Sequence, residues 1–473
     1  MHYMMHIKHP NPMTFSEPSN KSVPYELTLE GGDTLMLHDI IRIIPHRRLV
    51  AIGEWQHQTV IAKLFFDKRR ALKDIARETT GIRNLEQAHI PTPKLYYEGN
   101  CYHDRCGVLL FEYLKEAKTL SSLWEQTSCI DELIPVLKRM MIELATQHVY
   151  GILQKDLHFK NFLIQGNLIY TLDGASVKVF PKMLRKETCL PSLALFLSQL
   201  GVGLEPYQMM LYRHYALSRG WQINVIDEAN LLQTIEQHHQ ARWMRYRKKI
   251  FRNSTDFLRI RNKAYRGMAE RAYLSDALKA WFDKPDAPFT IRRSILLKEG
   301  RSTTVAKVTW HGRDYVIKRN NIKHFVHFLK RLFRTTRAAH AWEMTHKLKL
   351  FGVSHAHPVA FLEKRFLCFT SHSYFVSEYI PRVCDELYVE KNVERIVTLF
   401  KNINKLNLSP LDLKLNNILV NEKNEPLLID MDSVREHRSS ANLSYRFKKG
   451  IKRFLKNFDS RSDLYKQLKA ALQ

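Results

Sequence analysis

Glycine and proline are scarce, with 17 of each in 473 residues. That excludes a collagen-like chain and argues against long flexible linkers or a disordered chain. Cysteine is scarcer still. Cys101, Cys106, Cys129, Cys189, Cys368 and Cys384 are scattered, with no CxxC pair among them. Free thiols in a reducing compartment are therefore expected, not a disulfide scaffold. The 22 histidines form no HExxH, so a zinc signature is missing. The G-x-x-x-x-G-K-[ST] phosphate loop is missing too, which excludes the nucleotide-binding folds built on it. No long hydrophobic run occurs: the most apolar stretch, 189–204, is short and broken by Pro191, Ser192 and Ser198. The first 24 residues lack the apolar core of a signal peptide. These absences point to a cytoplasmic protein, with attachment to the inner face of a membrane left open.

Hydrophobic residues make up 45% and charged residues 26%, the balance of a folded chain. Acid is under-represented: 74 Lys and Arg face 47 Asp and Glu, a net +27. Such an excess calls for a polyanionic partner. No base-reading motif accompanies it, so nucleic acid is not the expected one. Three basic runs carry much of the charge. The first, 241–253, holds Arg242, Arg245, Arg247, Lys248, Lys249 and Arg252. The second, 322–337, interleaves Lys323, Lys330, Arg331, Arg334 and Arg337 with Phe325, Phe328 and Phe333. The third, 441–456, holds Arg446, Lys448, Lys449, Lys452, Arg453 and Lys456. Such helices can lie on an anionic leaflet or grip the phosphates of a ligand; a plain solvated face is the other reading.

Two segments repeat one pattern, D-L-x-x-x-N followed by apolar residues: Asp156 to Ile164 and Asp412 to Val420. Each leads into an apolar strand ending in aspartate, Asp173 or Asp430. Each follows, about a hundred residues behind, a strand ending in lysine, Lys63 or Lys318. The lysines stand 255 residues apart, the loop aspartates and the asparagines 256, and the later aspartates 257. One spacing held across four ordered landmarks indicates a tandem duplication. The expected division is a flexible N-terminus over 1–24, a first domain over 25–245, a basic junction over 246–286 and a second domain over 287–473.

The residue types suit phosphoryl transfer. That chemistry needs a cation on the phosphates, metal ions bridging them, and a carboxylate to orient the acceptor hydroxyl. Lys63 or Lys318 supplies the cation. Asp156 or Asp412 can take the acceptor's proton. Asn161 with Asp173, or Asn417 with Asp430, offers hard oxygen ligands for Mg2+. An extended lysine needs a partner. Ala71, Ile75, Glu78, Ile82 and Leu85 share one helix face, and a glutamate in an apolar stripe demands a counter-charge. Glu78 is thus the expected partner of Lys63. By similar spacing, Glu343 on the face with Ala339, His346 and Leu350 is the expected partner of Lys318. Glu112 and Glu378, in Phe111-Glu112-Tyr113-Leu114 and Ser377-Glu378-Tyr379-Ile380, mark segments whose backbone would bond an adenine.

This constellation resembles the protein-kinase-like superfold. It departs from the protein kinases in three places. Gln154-Lys155 and Pro410-Leu411 precede the loop aspartates in place of His-Arg. Asp173-Gly174-Ala175 and Asp430-Met431-Asp432 replace D-F-G. No G-x-G-x-x-G occurs; Gly53 and Gly300 stand alone in the corresponding hairpins. Together with His89-Ile90-Pro91-Thr92-Pro93, Lys330-Arg331-Leu332-Phe333-Arg334 and Leu350-Phe351-Gly352-Val353, the motifs are similar to the bacterial lipopolysaccharide core kinases, the Kdo and heptose kinase family. The resemblance implies an α+β fold with two tandem bilobal domains, each a small antiparallel-sheet lobe and a helical lobe. It implies ATP and Mg2+ at the site, and phosphorylation of an inner-core sugar hydroxyl of a lipopolysaccharide intermediate at the anionic inner membrane surface. The alternatives are a kinase for another small-molecule or protein hydroxyl, or a scaffold with one or both copies inactive.

Overall fold

Period-two alternation builds the first sheet. Its strands are β1 (Tyr25–Thr28), β2 (Thr34–Ile44), β3 (Arg48–Trp55), β4 (Gln58–Phe65), β5 (Leu95–Asn100) and β6 (Gly107–Glu112). They pair antiparallel in the order β1-β2-β3-β4-β6-β5. On β4, Val60, Ala62 and Leu64 face one apolar cluster with Leu35, Leu49 and Leu110. Ile61 and Phe65 face the other side with Ile75, Ile82 and Leu85 of helix α1 (Ala71–Gln87). Lys63 shares that second side, which places its ammonium under the helix. The computed structural model describes residues 25–472 apart from 45, 68–69, 103–105, 128, 291–293, 301, 322–334 and 367–368. The expected flexible N-terminus and most of the basic run at 322–337 lie outside the described residues.

Short strands and helices follow: β7 (Lys118–Thr119), α2 (Leu120–Gln126), α3 (Ile134–Val149), β8 (Ile152–Gln154), β9 (Phe162–Gln165), β10 (Leu168–Thr171), β11 (Val177–Val179), α4 (Lys186–Leu197), α5 (Glu205–Ser218) and α6 (Val225–Lys249). The hairpin β9–β10 and the pair β8–β11 bracket the segment that carries Asp156, Asn161 and Asp173. Residues up to Gln199 with Pro206–Ile235 form one compact unit; Leu200–Glu205 with the chain from Glu236 form a second.

The second unit holds β12 (Phe257–Arg261), β13 (Tyr265–Glu270), α7 (Asp276–Asp283), β14 (Ile295–Glu299), β15 (Thr303–Trp310), β16 (Arg313–Asn320), α8 (Arg337–Leu350), β17 (Pro358–Phe366) and β18 (Phe369–Glu378). After them come β19 (Arg382–Val383), α9 (Glu386–Lys391), α10 (Val393–Lys405), β20 (Leu408–Pro410), β21 (Ile418–Val420), β22 (Pro426–Leu428), β23 (Val434–Glu436), α11 (Ser440–Leu455) and α12 (Asp463–Leu472). Its sheet runs β12-β13-β17-β18-β16-β15-β14, all antiparallel. The five strands β14-β15-β16-β18-β17 reproduce β2-β3-β4-β6-β5. The pairing repeats residue for residue: Val50 opposes Lys63 as Val305 opposes Lys318, and Val60 opposes Glu112 as Tyr315 opposes Glu378.

Residues 246–286, expected as a junction, are folded into this second unit. Phe257 and Ile260 are buried on opposite faces of β12, in two apolar clusters, while Arg259 and Arg261 are exposed; β12 pairs with β13, and β13 with β17. Leu278, Trp281 and Phe282 of α7 pack on Tyr315 and Ile317. Arginine between the apolar positions disguised these strands as a basic linker. No helix among the described residues is long and apolar enough to cross a membrane.

His148 on α3 is buried, bonded through Nδ1 to the Tyr215 hydroxyl at 2.7 Å. Burial first, then the Arg219 guanidinium, pushes its pKa down to about 3. The unfolded imidazole protonates near 6.5, so its neutral burial stabilises the fold above that pH. The stabilisation drains away between roughly pH 6.5 and the folded value, at up to about 1.4 kcal/mol per pH unit. Protection factors of residues 134–149, corrected for the intrinsic pH dependence of exchange, are expected to fall on acidification across that window, with a flatter response in His148→Asn.

Candidate functional site

In the first unit the predicted residues are gathered by a close approach of two backbones. Gly81 on α1 lies against Gly174, which follows Asp173. A Cβ added at Gly81 would stand 1.9 Å from the Gly174 carbonyl oxygen, and one at Gly174 would stand 2.3 Å from the Glu78 carbonyl oxygen. With no side chain between them, the helix rests directly on the turn. Glu78, fully buried, then meets Lys63: Nζ donates to Oε1 at 2.5 Å. The same ammonium lies 4.7 Å from the centroid of the Phe111 ring.

Asp173 adopts φ +64°, left-handed backbone that costs a non-glycine residue about 1 kcal/mol or more. The distortion turns the chain out of β10 into a single helical turn at Gly174–Ser176. Burial raises the Asp173 pKa; the Glu78 charge raises it further, and Lys63 and Arg48 oppose. Asp156 also acts on it, so four predicted groups share one electrostatic neighbourhood. Arg48, at the start of β3, is a fifth member that the sequence motifs did not single out.

The loop is braced from within. Asn161 Nδ2 donates to the Asp156 carbonyl at 2.7 Å, and the Leu172 N–H donates to the Asn161 carbonyl at 2.8 Å. The amide nitrogen is thereby committed, and Oδ1 remains as a hard acceptor. The Asp156 carboxylate sits 3.0 Å from His158 Nε2. Gln199 closes the loop from behind, accepting from the Phe159 N–H and donating to the Leu157 carbonyl. It stands outside every motif, and only its tertiary placement reveals it. Glu112 ends β6, and its N–H donates to the Lys94 carbonyl at 2.9 Å.

The second unit repeats much of this. Asn417 Nδ2 donates to the Asp412 carbonyl at 2.9 Å, the Ile429 N–H donates to the Asn417 carbonyl at 2.9 Å, and Asp430 has φ +66°. Glu378 ends β18, where Tyr273 donates to its Oε1 at 3.0 Å. Asp412 is ion-paired: Arg453 Nη2 of α11 is 2.8 Å away and Lys414 Nζ 3.7 Å. α11 is seated by Gly450, where a Cβ would stand 2.7 Å from the Pro410 carbonyl oxygen.

The expected Lys318–Glu343 pair does not form. Glu343 is buried against Arg247, whose Nε lies 2.5 Å from Oε1. Lys318 Nζ instead contacts Asp430 and Asp432, the latter at 2.6 Å. Burial alone would lower the Lys318 pKa, but Asp432 and Asp430 outweigh it and raise it. The physical reason for the miss is helix register. Ile90 N–H donates to the Leu85 carbonyl where α1 ends, and Val353 N–H to the Leu348 carbonyl where α8 ends. Leu85 and Leu348 are 263 residues apart, as are Ile90 and Val353. The residue equivalent to Glu78 is therefore Ala341, and Glu343 falls two places beyond it.

Gly81→Ala decides whether the close approach matters. On a free helix surface alanine would stabilise by about 1 kcal/mol. Against a fixed carbonyl it is expected to destabilise the first unit by about 1–3 kcal/mol, read as a lower urea midpoint. No protein-family model matches this chain, and no curated protein matches it.

Proposed function

We propose that the chain is an ATP-dependent kinase of protein-kinase-like architecture, bilobal in each of its two copies. Its acceptor is a sugar hydroxyl, heptose or Kdo, of a lipopolysaccharide inner-core intermediate. What carries the transferase reading is the first crevice, where Lys63, Glu78, Asp156, Asn161 and Asp173 meet although up to 110 residues separate them. The acceptor's identity rests on the motif resemblance.

Glu78 holds Lys63 extended, which fixes an ammonium where the phosphates of ATP would lie. Asn161 Oδ1 and the Asp173 carboxylate suit Mg2+, which favours oxygen ligands and shares its shell with substrate phosphates. When bound, that ion neutralises charge on the transferring phosphoryl group. Asp156 is the group that receives the acceptor proton, and His158 Nε2 beside it fixes the carboxylate's orientation. Phe111-Glu112-Tyr113-Leu114, where β6 ends, is the segment whose backbone would bond the adenine edge.

The basic charge fits an anionic membrane surface. The apolar face of α11, with Leu443, Phe447, Ile451 and Phe454, is buried in its own unit, and Arg446, Lys448, Lys449, Lys452, Arg453 and Lys456 face solvent. This helix can therefore attract a leaflet through charge, about 1 kcal/mol per cation, but has no apolar face left to insert. Lys448→Gln/Lys449→Gln/Lys452→Gln is expected to weaken sedimentation with phosphatidylglycerol vesicles at low salt, while neutral vesicles bind neither form.

Asp156→Asn is expected to leave folding intact and lower turnover by about 10²–10⁴-fold, the contribution of a positioned base. Transfer of label from γ-³²P-ATP to purified inner-core glycolipid measures it. Parent-level turnover in Asp156→Asn/Asp412→Asn would overturn the kinase reading.

A further inference from the structure

The two copies differ in one coordinated way. The carboxylate that the first copy carries on its helix is missing from the second: Ala341 stands where Glu78 does, by the shared helix ending. The second copy carries an extra carboxylate on the turn, with Asp432 standing where the first has Ala175, 257 residues earlier like Asp173 before Asp430. Acid and alanine have exchanged places between helix and turn.

The packing explains why. The glycine pair that brings α1 onto its turn has two counterparts. Gly81 corresponds to Met344 and Gly174 to Met431, by the same two spacings. Both methionines are buried. Where the first copy has two glycines in backbone contact, the second has two methionines in one buried cluster. The face of α8 is occupied by Ala338, Ala341, Trp342 and Met344 in the core of its unit. Arg337, in the first turn of α8, lies 3.9 Å from Asp432 and flanks it opposite Lys318.

We infer that Asp432 is the positioning residue for Lys318 in the second crevice, taking over from the helix glutamate. The cation is then held by the same turn that bears Asp430, the residue proposed for the metal. In the first copy the ammonium follows the helix; in the second it follows the turn. Asp430 and Asp432 both hold Lys318 from one turn, so with Asp430 engaged by a metal the ammonium would keep Asp432 as its partner. This rests on the kinase reading for its use, and on the contacts alone for its geometry.

Two measurements on the full chain separate these. In a Lys63→Met/Asp173→Asn background, which disables the first crevice, calorimetric binding of Mg·ATP reports on the second. Asp432→Ala is expected to weaken that binding about tenfold or more, Asp432→Glu to restore most of it, and Glu343→Gln to leave it unchanged. Weakening by Glu343→Gln with Asp432→Ala at background affinity would overturn the assignment. Independently of nucleotide, a double-mutant cycle on the urea midpoint should be non-additive for Lys318→Met with Asp432→Asn and additive for Lys318→Met with Glu343→Gln. Additivity in the first pair overturns the anchor. A non-additive cycle with no Mg·ATP uptake upholds the anchor and overturns the nucleotide reading of that crevice.

Discussion

Everything in the first crevice hangs on how closely helix α1 can lie on the turn at Asp173. Helices ordinarily keep a side chain's width from their neighbours, with axes 8–10 Å apart. Gly81 and Gly174 remove that width locally, at a conformational cost of about 1 kcal/mol for a glycine inside a helix. In return a fully buried carboxylate reaches an ammonium on the neighbouring sheet. Buried ion pairs contribute little net stability, because desolvation offsets attraction. The arrangement therefore makes sense as preorganisation of a cation, with packing elsewhere keeping the unit folded. The left-handed Asp173 belongs to the same geometry: strain held at the turn, with sheet and helix around it fixing the outcome.

The second copy meets the same electrostatic problem with other residues. Methionines tolerate irregular gaps, and they let α8 devote its inner face to the core of its unit. No helix carboxylate is used there: Glu343 pairs with Arg247, and Lys318 turns to Asp430 and Asp432. The two-residue spacing of Asp430 and Asp432 supplies both charges from one loop. In the first copy the lysine's carboxylate comes from the helix; in the second, two come from the turn.

Much of this was legible before any coordinates. The four landmarks at one spacing picked out residues that the structure brings together in each unit, and the apolar stripe through Glu78 correctly gave its partner, because side-chain direction on a helix follows the 3.6-residue period. Glu343 misled for a physical reason. Its stripe is real, since Ala339 and His346 are buried beside it, but a helix buried nearly all round has several apolar faces. Only the hydrogen bonds that end the helix fix which face meets the turn. The glycine contacts, Arg48 and Gln199 were not legible, since each acts through a neighbour distant in sequence. The basic tract at 246–286 concealed two strands because arginine at outward positions of an edge strand looks like a charged linker.

Those two strands bear on how the chain can be divided. β12 and β13 complete one side of the second sheet and cover the outer rim of β17, which in the first sheet is the place of β5, an edge. A fragment cut at the intuitive boundary near residue 287 would strip them away and bare a nine-residue strand with its N–H and C=O groups open to any passing chain. It would also lose α7 and its tryptophan from the cover over Tyr315 and Ile317. The second copy as a folding piece thus begins with the segment that looks most like a tether.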